Sequence, residues 1–474
     1  MGFAEGGETL STRRGRSLVA LLAAGTLAAG GVTALSLSDA ATPLPVAPSP
    51  APSEPAVREA LLPEVRRDAP APTAAGLQVA VAATLADPAI AGRLAVSVVD
   101  TETGRPLLER GAGTLLLPAS TAKIATAVAA LTALPPGARL TTRVVAGSAP
   151  GEVVLVGGGD PTLAGPQAEP GYPAPARLTD LAARTRAGLG TTAVTRVLVD
   201  ESLYSGQRLG PGWKDGYVLE GAVAPVGPLM VDGGRVRPDR SKRHLDPALA
   251  AGRALAALLQ PGATVPVERA LAPAGAVQLG AVQSQPVAQL VERMLTRSDN
   301  DLAEALVRQV AITQGQPASF AGGAAALEGV LGPYLDGVGV GRESVALVDG
   351  SGLSRLDRLE PAALTRLLAR VASTDGSPTV ERLAPVLTGL PVAGFSGTLS
   401  DRYRKGAGLP AAGVVRAKTG TLNGVSALAG LVRTADGRLL AFDLTADGLP
   451  LGANRQAEAA LDRLAATLAA CGCR

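Results

Sequence analysis

The sequence predicts an α+β fold, an antiparallel sheet covered by helices, with an inserted segment between the two halves of the sheet. Three observations carry this reading. Leu94 to Glu109, L-A-V-S-V-V-D-T-E-T-G-R-P-L-L-E, reads as a β-hairpin turning at Thr103-Gly104. Gly424 to Leu444 reads as a second hairpin with Asp436-Gly437 as its turn, and an amphipathic helix from about Arg455 to Ala469 closes the chain. Hairpins this far apart in sequence, bracketing helical stretches, are expected to pair into one sheet with the helices laid over it.

The composition bounds what such a fold can do. The chain has 474 residues, 47% hydrophobic and 18% charged, enough for two or three domains with real cores. Its net charge is only +3, its aromatic content 2%, and its basic residues are scattered, which argues against nucleic-acid binding. Alanine, glycine and proline are abundant, so any single small-residue motif carries little weight. The sole histidine, His244, lies in the polar run R-P-D-R-S-K-R-H-L-D. That excludes a His-rich metal site and allows a Ser-His-Asp triad only if this loop reaches a serine. The two cysteines, Cys471 and Cys473, offer neither a disulfide framework nor a zinc site. They read as a C-x-C bridge or as two thiols on a frayed end, without bearing on the fold. No metal or cofactor is expected.

Residues 13–37 join a basic start to a run of uncharged, mostly apolar residues, the pattern of an export signal or a membrane anchor. Ser38-Asp39-Ala40 offers small residues for cleavage, and the apolar run is also long enough to span a bilayer. Either way the body is expected to work in the cell envelope, outside the cytoplasm, touching a membrane only through this segment. From about Thr42 to Ala75 the chain is rich in proline and alanine, a composition that favours extended polyproline and reads as a spacer. The expected organisation is a targeting segment over 1–40, a linker over 41–76, a catalytic body over 77–136 and 286–474, and an insertion over 137–285.

The insertion carries strand-like pieces of its own, R-V-V-A-G-S, E-V-V-L-V-G-G-G-D and T-R-V-L-V-D, with much glycine and proline and no repeat period. It is expected to form one or two accessory domains, with Trp213 packed inside. Gly157-Gly158-Gly159 lacks the spacing and the following lysine of a phosphate loop. Asp160 and Asp349, each beside glycines, read as loop-shaping residues.

Three short motifs carry the chemistry. L-P-A-S-T-A-K puts Ser120 and Lys123 three residues apart at the front of an alanine-rich helix, where residues at this spacing share a face. The Lys123 amine can therefore reach the Ser120 hydroxyl and act as its base, provided that burial and a second cation depress its pKa. Isolated, the pair is an N-cap serine and a solvated lysine, so the chemical reading demands further polar groups. Ser298-Asp299-Asn300 falls where one helical pattern stops and another starts, and could present a hydroxyl and an amide into a cleft or simply cap the second helix. V-V-R-A-K-T-G-T-L-N-G puts Lys418, Thr419 and Thr421 on or just after an edge-like strand, with Gly420 permitting close backbone approach.

S-x-x-K, S-x-N and K-T-G in this order resemble the signature of the penicillin-recognising active-site serine enzymes. Ser120 and Ser298 are 178 positions apart, and Ser298 and Lys418 are 120 apart. A compact serine β-lactamase would hold the first two motifs much closer, and no E-x-x-L-N segment is present. The long insertion instead resembles the low-molecular-mass class C penicillin-binding proteins, the D-alanyl-D-alanine carboxypeptidase/endopeptidase family. V-G-G-G-D-P-T-L, A-P-V-G-P-L-M-V-D-G-G, V-D-G-S-G-L-S-R and S-G-T-L-S-D-R look like segments of that family too.

The resemblance implies a penicillin-binding, serine β-lactamase-like transpeptidase fold and roles for each motif residue. Ser120 would be the nucleophile and Lys123 its base. Ser298 and Lys418 would pass the proton to the leaving amine, with the Lys418 charge lowering the Lys123 pKa. Asn300 would hold the peptide or orient Lys123, and Thr419 and Thr421, flanking Gly420, would receive the terminal carboxylate. The oxyanion hole would use the N–H groups of Ser120 and Thr421. The implied partners are peptidoglycan stem peptides, with β-lactams as inhibitors. Rival readings are a β-lactamase or esterase on the same scaffold, or an idle peptidoglycan-binding protein, and the sequence leaves open the balance of carboxypeptidase and endopeptidase action.

Overall fold

The computed structural model describes residues 66, 68–90, 93–169, 171, 173–373 and 375–472. The expected targeting segment, most of the expected linker and Cys473 lie outside these residues. The elements begin with α1 (Ala74–Leu85), β1 (Arg93–Asp100), β2 (Pro106–Arg110) and α2 (Ala122–Ala133). There follow β3 (Thr141–Ala146), β4 (Glu152–Val156), α3 (Leu178–Leu189), β5 (Arg196–Asp200), α4 (Pro247–Leu259), β6 (Val267–Arg269) and β7 (Gln278–Gln283). The chain continues through α5 (Val287–Arg297), α6 (Asn300–Thr313), α7 (Phe320–Gly337), β8 (Val345–Ala346), β9 (Arg358–Leu359) and α8 (Pro361–Ala372). It ends with β10 (Val415–Leu422), β11 (Val425–Arg433), β12 (Leu439–Asp447) and α9 (Asn454–Ala470).

The two hairpins meet as expected. Strand order is β10-β11-β12-β1-β2, every neighbour antiparallel, and β1 joins β12 in a register that pairs Val98 with Phe442. The turns of the two hairpins are tied by a bidentate ion pair. Arg438 Nε donates to Asp100 Oδ2 at 2.9 Å and its Nη2 to Asp100 Oδ1 at 2.8 Å, while Asp100 also accepts from the N–H groups of Glu102 and Thr103. Such fork-to-fork geometry fixes orientation as well as energy.

Each face of the sheet buries a different set of helices. Ala429, Leu431 and Ala441 pack with α2, α5, α6, α7 and α8, whereas Leu428, Phe442 and Leu444 pack with α1 and α9. Helix α2 is buried all round from Ala122 to Leu131, Lys123 included, because its alanines let neighbouring helices approach closely.

One boundary expectation needs correction. The folded body begins before Leu77: Thr73 Oγ1 caps α1 by accepting from Gly76 N, and Ala69 is buried. The capping threonine lies inside the proline-rich composition, which masked it. Of the two readings of the cysteines the bridged one holds: Cys471 is disulfide-bonded and is buried against the α9 side of the core.

Residues 141–283 supply a second sheet, in the order β6-β5-β4-β3-β7, with β4, β5 and β6 parallel and β3 antiparallel to both its neighbours. Helices α3 and α4 cover one face around Leu155, Leu181, Val197 and Leu255. The three consecutive glycines after β4 serve packing. A Cβ on Gly158 would stand 1.9 Å from Thr141 O. Asp160 next to them shapes its own loop, accepting from Thr162 N and Oγ1.

Candidate active site

The site is built around one strained turn. Ala119 adopts φ 47°, a left-handed conformation that alanine disfavours. Ser120 follows within the 3₁₀ turn Ala119–Thr121, which runs directly into α2, and its side chain caps nothing. Thr121 Oγ1 donates back to Pro118 O at 2.7 Å. Two glycines press on the turn from opposite sides: a Cβ on Gly352 would come within 1.8 Å of Ala119 O, and one on Gly420 within 2.8 Å of Pro118 O.

One helical turn on, Lys123 Nζ donates to Ser120 Oγ at 3.0 Å, to Asn300 Oδ1 at 2.6 Å and to Ser351 O at 2.5 Å. Lys123 is fully buried, and that burial lowers its pKa from 10.5 to about 8, against the opposing pull of Asp349, Glu304, Asp299 and Asp357.

The second motif occupies the break between α5 and α6. Ser298 ends α5 in the left-handed region at φ 55°, and Asp299 caps α6 by accepting from Leu302 N. Asp299 is thus the residue that caps α6, and its neighbours are free to face the site. Asn300 Oδ1 holds Lys123, and its Nδ2 donates to Ala222 O at 2.9 Å. Ser298 also borders a cavity of about 850 Å³ together with Asp299, Asn300, Ala222, Arg235 and Arg293, a size that suits a peptide-like ligand.

The third motif lies on β10, an edge strand. Cross-strand pairs share a face, so Lys418, opposite Ala429, points to the α2 side, and Gly420 lies on that side against the serine turn. Burial pushes the Lys418 pKa well down, and the charge on Lys123 pushes it further. The expected coupling therefore runs the other way round. Burial, not Lys418, lowers Lys123, whereas the Lys123 charge adds to the burial that lowers Lys418. Lys418 Nζ donates to Thr419 O at 2.8 Å.

Thr419 and Thr421 alternate onto the opposite, α9 side, where Thr419 Oγ1 hydrogen-bonds Thr398 Oγ1 at 2.9 Å and Thr421 Oγ1 donates to Glu458 Oε1 at 2.7 Å. Their backbone has a different outlook. Leu422 pairs with Val425 across the two-residue turn Asn423-Gly424, so in an antiparallel ladder the N–H groups of residues 417, 419 and 421 point off the free edge. Ala417 N, which donates outward to Pro391 O at 2.9 Å, follows this pattern.

The structure thus brings Ser120, Lys123 and Asn300 into one hydrogen-bonded group and lays Gly420 against it, with Lys418 buried in coulombic reach. Among the described residues, Ser298 Oγ is bonded to neither Ser120 nor Lys418. Sequence reasoning missed Ser351, whose carbonyl receives Lys123, and Glu304, which accepts from Gly350 N and Ser351 N. It also put Trp213 inside the insertion. Trp213 Nε1 instead donates to Asp349 Oδ2 at 2.7 Å, and its ring lies edge-on to Phe320. An indole needs a partner for its N–H, and a buried carboxylate across the chain supplied it. His244 borders a separate small cavity lined by no serine, so it builds no triad.

Comparison with known proteins agrees with this geometry. A profile described as "D-Ala-D-Ala carboxypeptidase 3 (S13) family" matches residues 77–245 and 239–468. The chain belongs to this S13 family. It is a serine peptidase of the D-Ala-D-Ala carboxypeptidase kind, within the low-molecular-mass class C penicillin-binding proteins that its motifs resemble. Carboxypeptidase DacB of Mycolicibacterium smegmatis is 42% identical over 446 residues, 92% of each chain. Carboxypeptidase Rv3627c of Mycobacterium tuberculosis is 41% identical over 439 residues, 90% of each. In fold, the S13 chain is similar to penicillin binding protein 4 (dacB) of Haemophilus influenzae, with TM-score 0.65 and 22% identity over 83% of this chain and 98% of the other.

Proposed function

We propose that this S13 enzyme removes the terminal D-alanine from peptidoglycan stem peptides through an acyl-enzyme on Ser120. The observation that carries the reading is the hydrogen bond from a buried Lys123 to Ser120 Oγ, on a helix start that caps nothing. Neutral Lys123 takes the hydroxyl proton as Ser120 Oγ attacks the penultimate D-alanine carbonyl carbon. The oxyanion is held by the N–H groups of Ser120 and Thr421, the latter aimed off the edge of β10. The C–N bond then breaks, and the leaving amine takes its proton by way of Ser298 and Lys418. A lysine whose pKa is pushed down by burial and by a charged neighbour suits that passage. Water hydrolyses the ester and frees Ser120. Thr419 and Thr421 receive the substrate's terminal carboxylate, for which Thr421 exchanges Glu458.

With penicillin the broken C–N bond leaves the amine tethered to the acyl group, so the ester persists. The same chemistry cleaves D-alanyl cross-links, giving endopeptidase action. The enzyme works on the outer side of the cytoplasmic membrane, directed there by residues 13–37 as export signal or anchor. Among the described residues no helix is long and apolar enough to cross a membrane.

The test is intact-mass analysis of the full chain incubated with benzylpenicillin, beside Ser120→Ala. A stoichiometric adduct on the wild type and none on the variant is expected. Absence of an adduct on the wild type defeats the reading, and rapid turnover of nitrocefin without an adduct would make it a β-lactamase.

A further inference from the structure

Behind Lys123, on the side away from Ser120, lies a buried group of carboxylates that the proposed mechanism does not use. Glu304, on α6, is completely buried. Its Oε1 accepts from Gly350 N at 3.1 Å and Ser351 N at 2.9 Å, and its Oε2 accepts from Arg308 Nη1 at 2.9 Å. Asp349 accepts from Ser351 N and Gly352 N with Oδ1, and from Ser354 N and Trp213 Nε1 with Oδ2. Asp357 accepts from Val348 N with Oδ1 at 2.8 Å. Thr126 Oγ1, from α2 itself, donates to Gly350 O at 2.7 Å.

These bonds converge on one stretch of backbone, residues 348–354, closed at its base by the β8–β9 pair. Its Ser351 carbonyl receives Lys123 Nζ at 2.5 Å, and its Gly352 packs on the Ala119 carbonyl. Five backbone N–H groups of this loop, those of Val348, Gly350, Ser351, Gly352 and Ser354, thus end on three buried carboxylates. The base and the serine turn both lean on the result.

We infer that Glu304 and Asp349 are positioning residues for the acylation step: they hold the Ser351 carbonyl against Lys123, and their negative charge sets the pH at which Lys123 gives up its proton. The inference rests on the reading of Lys123 as the base. The charged groups facing Lys123 are Glu304 from α6, Asp299 at the start of α6, Asp349 and Asp357 from the loop, and Lys418 from β10, with Arg308 behind Glu304. Burial and the Asp349 charge raise the Asp357 pKa well above the usual carboxylate range. The field on Lys123 comes, in falling order, from Asp349, Glu304, Asp299 and Asp357. Burial and the Asp349 charge raise the Glu304 pKa, opposed by Arg308 and by the hydrogen bonds that Glu304 accepts.

The experiment is the pH dependence of benzylpenicillin acylation, followed by intact mass on the full chain, for wild type, Glu304→Gln and Asp357→Asn. Removing the Glu304 charge lowers the Lys123 pKa, so the acid limb of the rate moves to lower pH by roughly one unit. Asp357→Asn removes the weakest of the four carboxylate pulls on Lys123 and is expected to move the limb much less. A limb that stays put in Glu304→Gln, or one that moves as far in Asp357→Asn, overturns the inference, since a merely structural role would scale the rate at every pH. If Glu304→Gln lacks a native melting transition, Asp349→Asn carries the same expectation. Failure of the wild type to acylate at all would instead strike the nucleophile assignment, so the two failures are distinguishable.

Discussion

Gly352 packs on the carbonyl of Ala119, so closely that a Cβ would come within 1.8 Å of the oxygen, while Ala119 itself holds φ 47°. The left-handed residue before Ser120 and the loop that touches Lys123 are therefore one mechanical unit. Gly352 is also left-handed, at φ 75°. Gly352→Ala is expected to cost at least about 1 kcal/mol from backbone strain alone and to slow acylation by about tenfold or more as the serine turn shifts. A melting curve with a penicillin time course measures both, and wild-type acylation in the variant would mean that the loop does not set the turn.

The pH profile of the wild type follows from Lys123. Its pKa is about 8 rather than 10.5, and only the neutral amine can accept the serine proton. Acylation should thus climb with pH along an acid limb centred near 8. Lys123→Arg, which cannot deprotonate, should lose that limb and react about 10²–10⁴ times more slowly. A flat profile between pH 6 and 9 in the wild type would contradict the assignment.

Asn300 offers a test with a sign. Asn300→Asp places a carboxylate 2.6 Å from Lys123 Nζ, favours the ammonium form and should move the limb to higher pH. Asn300→Ala leaves Lys123 and Ala222 O each short of a partner, with an expected loss of about 1–3 kcal/mol in stability. Stopped acylation assays and thermal unfolding read the two effects, and a limb shifted downward in Asn300→Asp would refute the contact.

Asp443, in the middle of the sheet on β12, is buried with Thr445 Oγ1 as its hydrogen-bond donor, and burial raises its pKa to about 7. The native state therefore binds this proton more tightly than the unfolded chain. Its contribution is best at low pH, is lost as pH rises from about 4, and carries its full penalty above about 7. Asp443→Asn, which mimics the neutral acid, should raise the melting temperature at pH 8 by an amount worth a few kcal/mol, at about 1.4 kcal/mol per pKa unit. The gain should vanish near pH 4, and an equal gain at both pH values would point to packing instead.

Much of the fold was legible because it is local. The hairpin turns at Thr103-Gly104 and Asp436-Gly437, the strands β3, β4 and β5, and the helix α9 all follow from patterning within a dozen residues. The start of α1 was hidden because a single capping threonine carries little signal within a proline-rich tract. The Asn423-Gly424 turn that joins β10 to β11, a strong hairpin signal, stood in the open but was read only as the end of a strand.

The sequence by itself determined which chemical groups are available. Ser120, Lys123, Ser298, Asn300 and Lys418 are side chains in a recognisable order, and the 178 positions between Ser120 and Ser298 separate this chain from compact relatives. Tertiary structure decided what those groups experience. Ser351 contributes only a carbonyl, Glu304 looks like any helical glutamate, and Trp213 finds Asp349 across 136 positions. The depressed pKa of Lys123 likewise comes from being enclosed by α2, α6 and the 348–354 loop. Backbone acceptors, burial and electrostatic fields are properties of what packs around a residue, and packing between distant segments leaves no mark at the residue's own position in the chain.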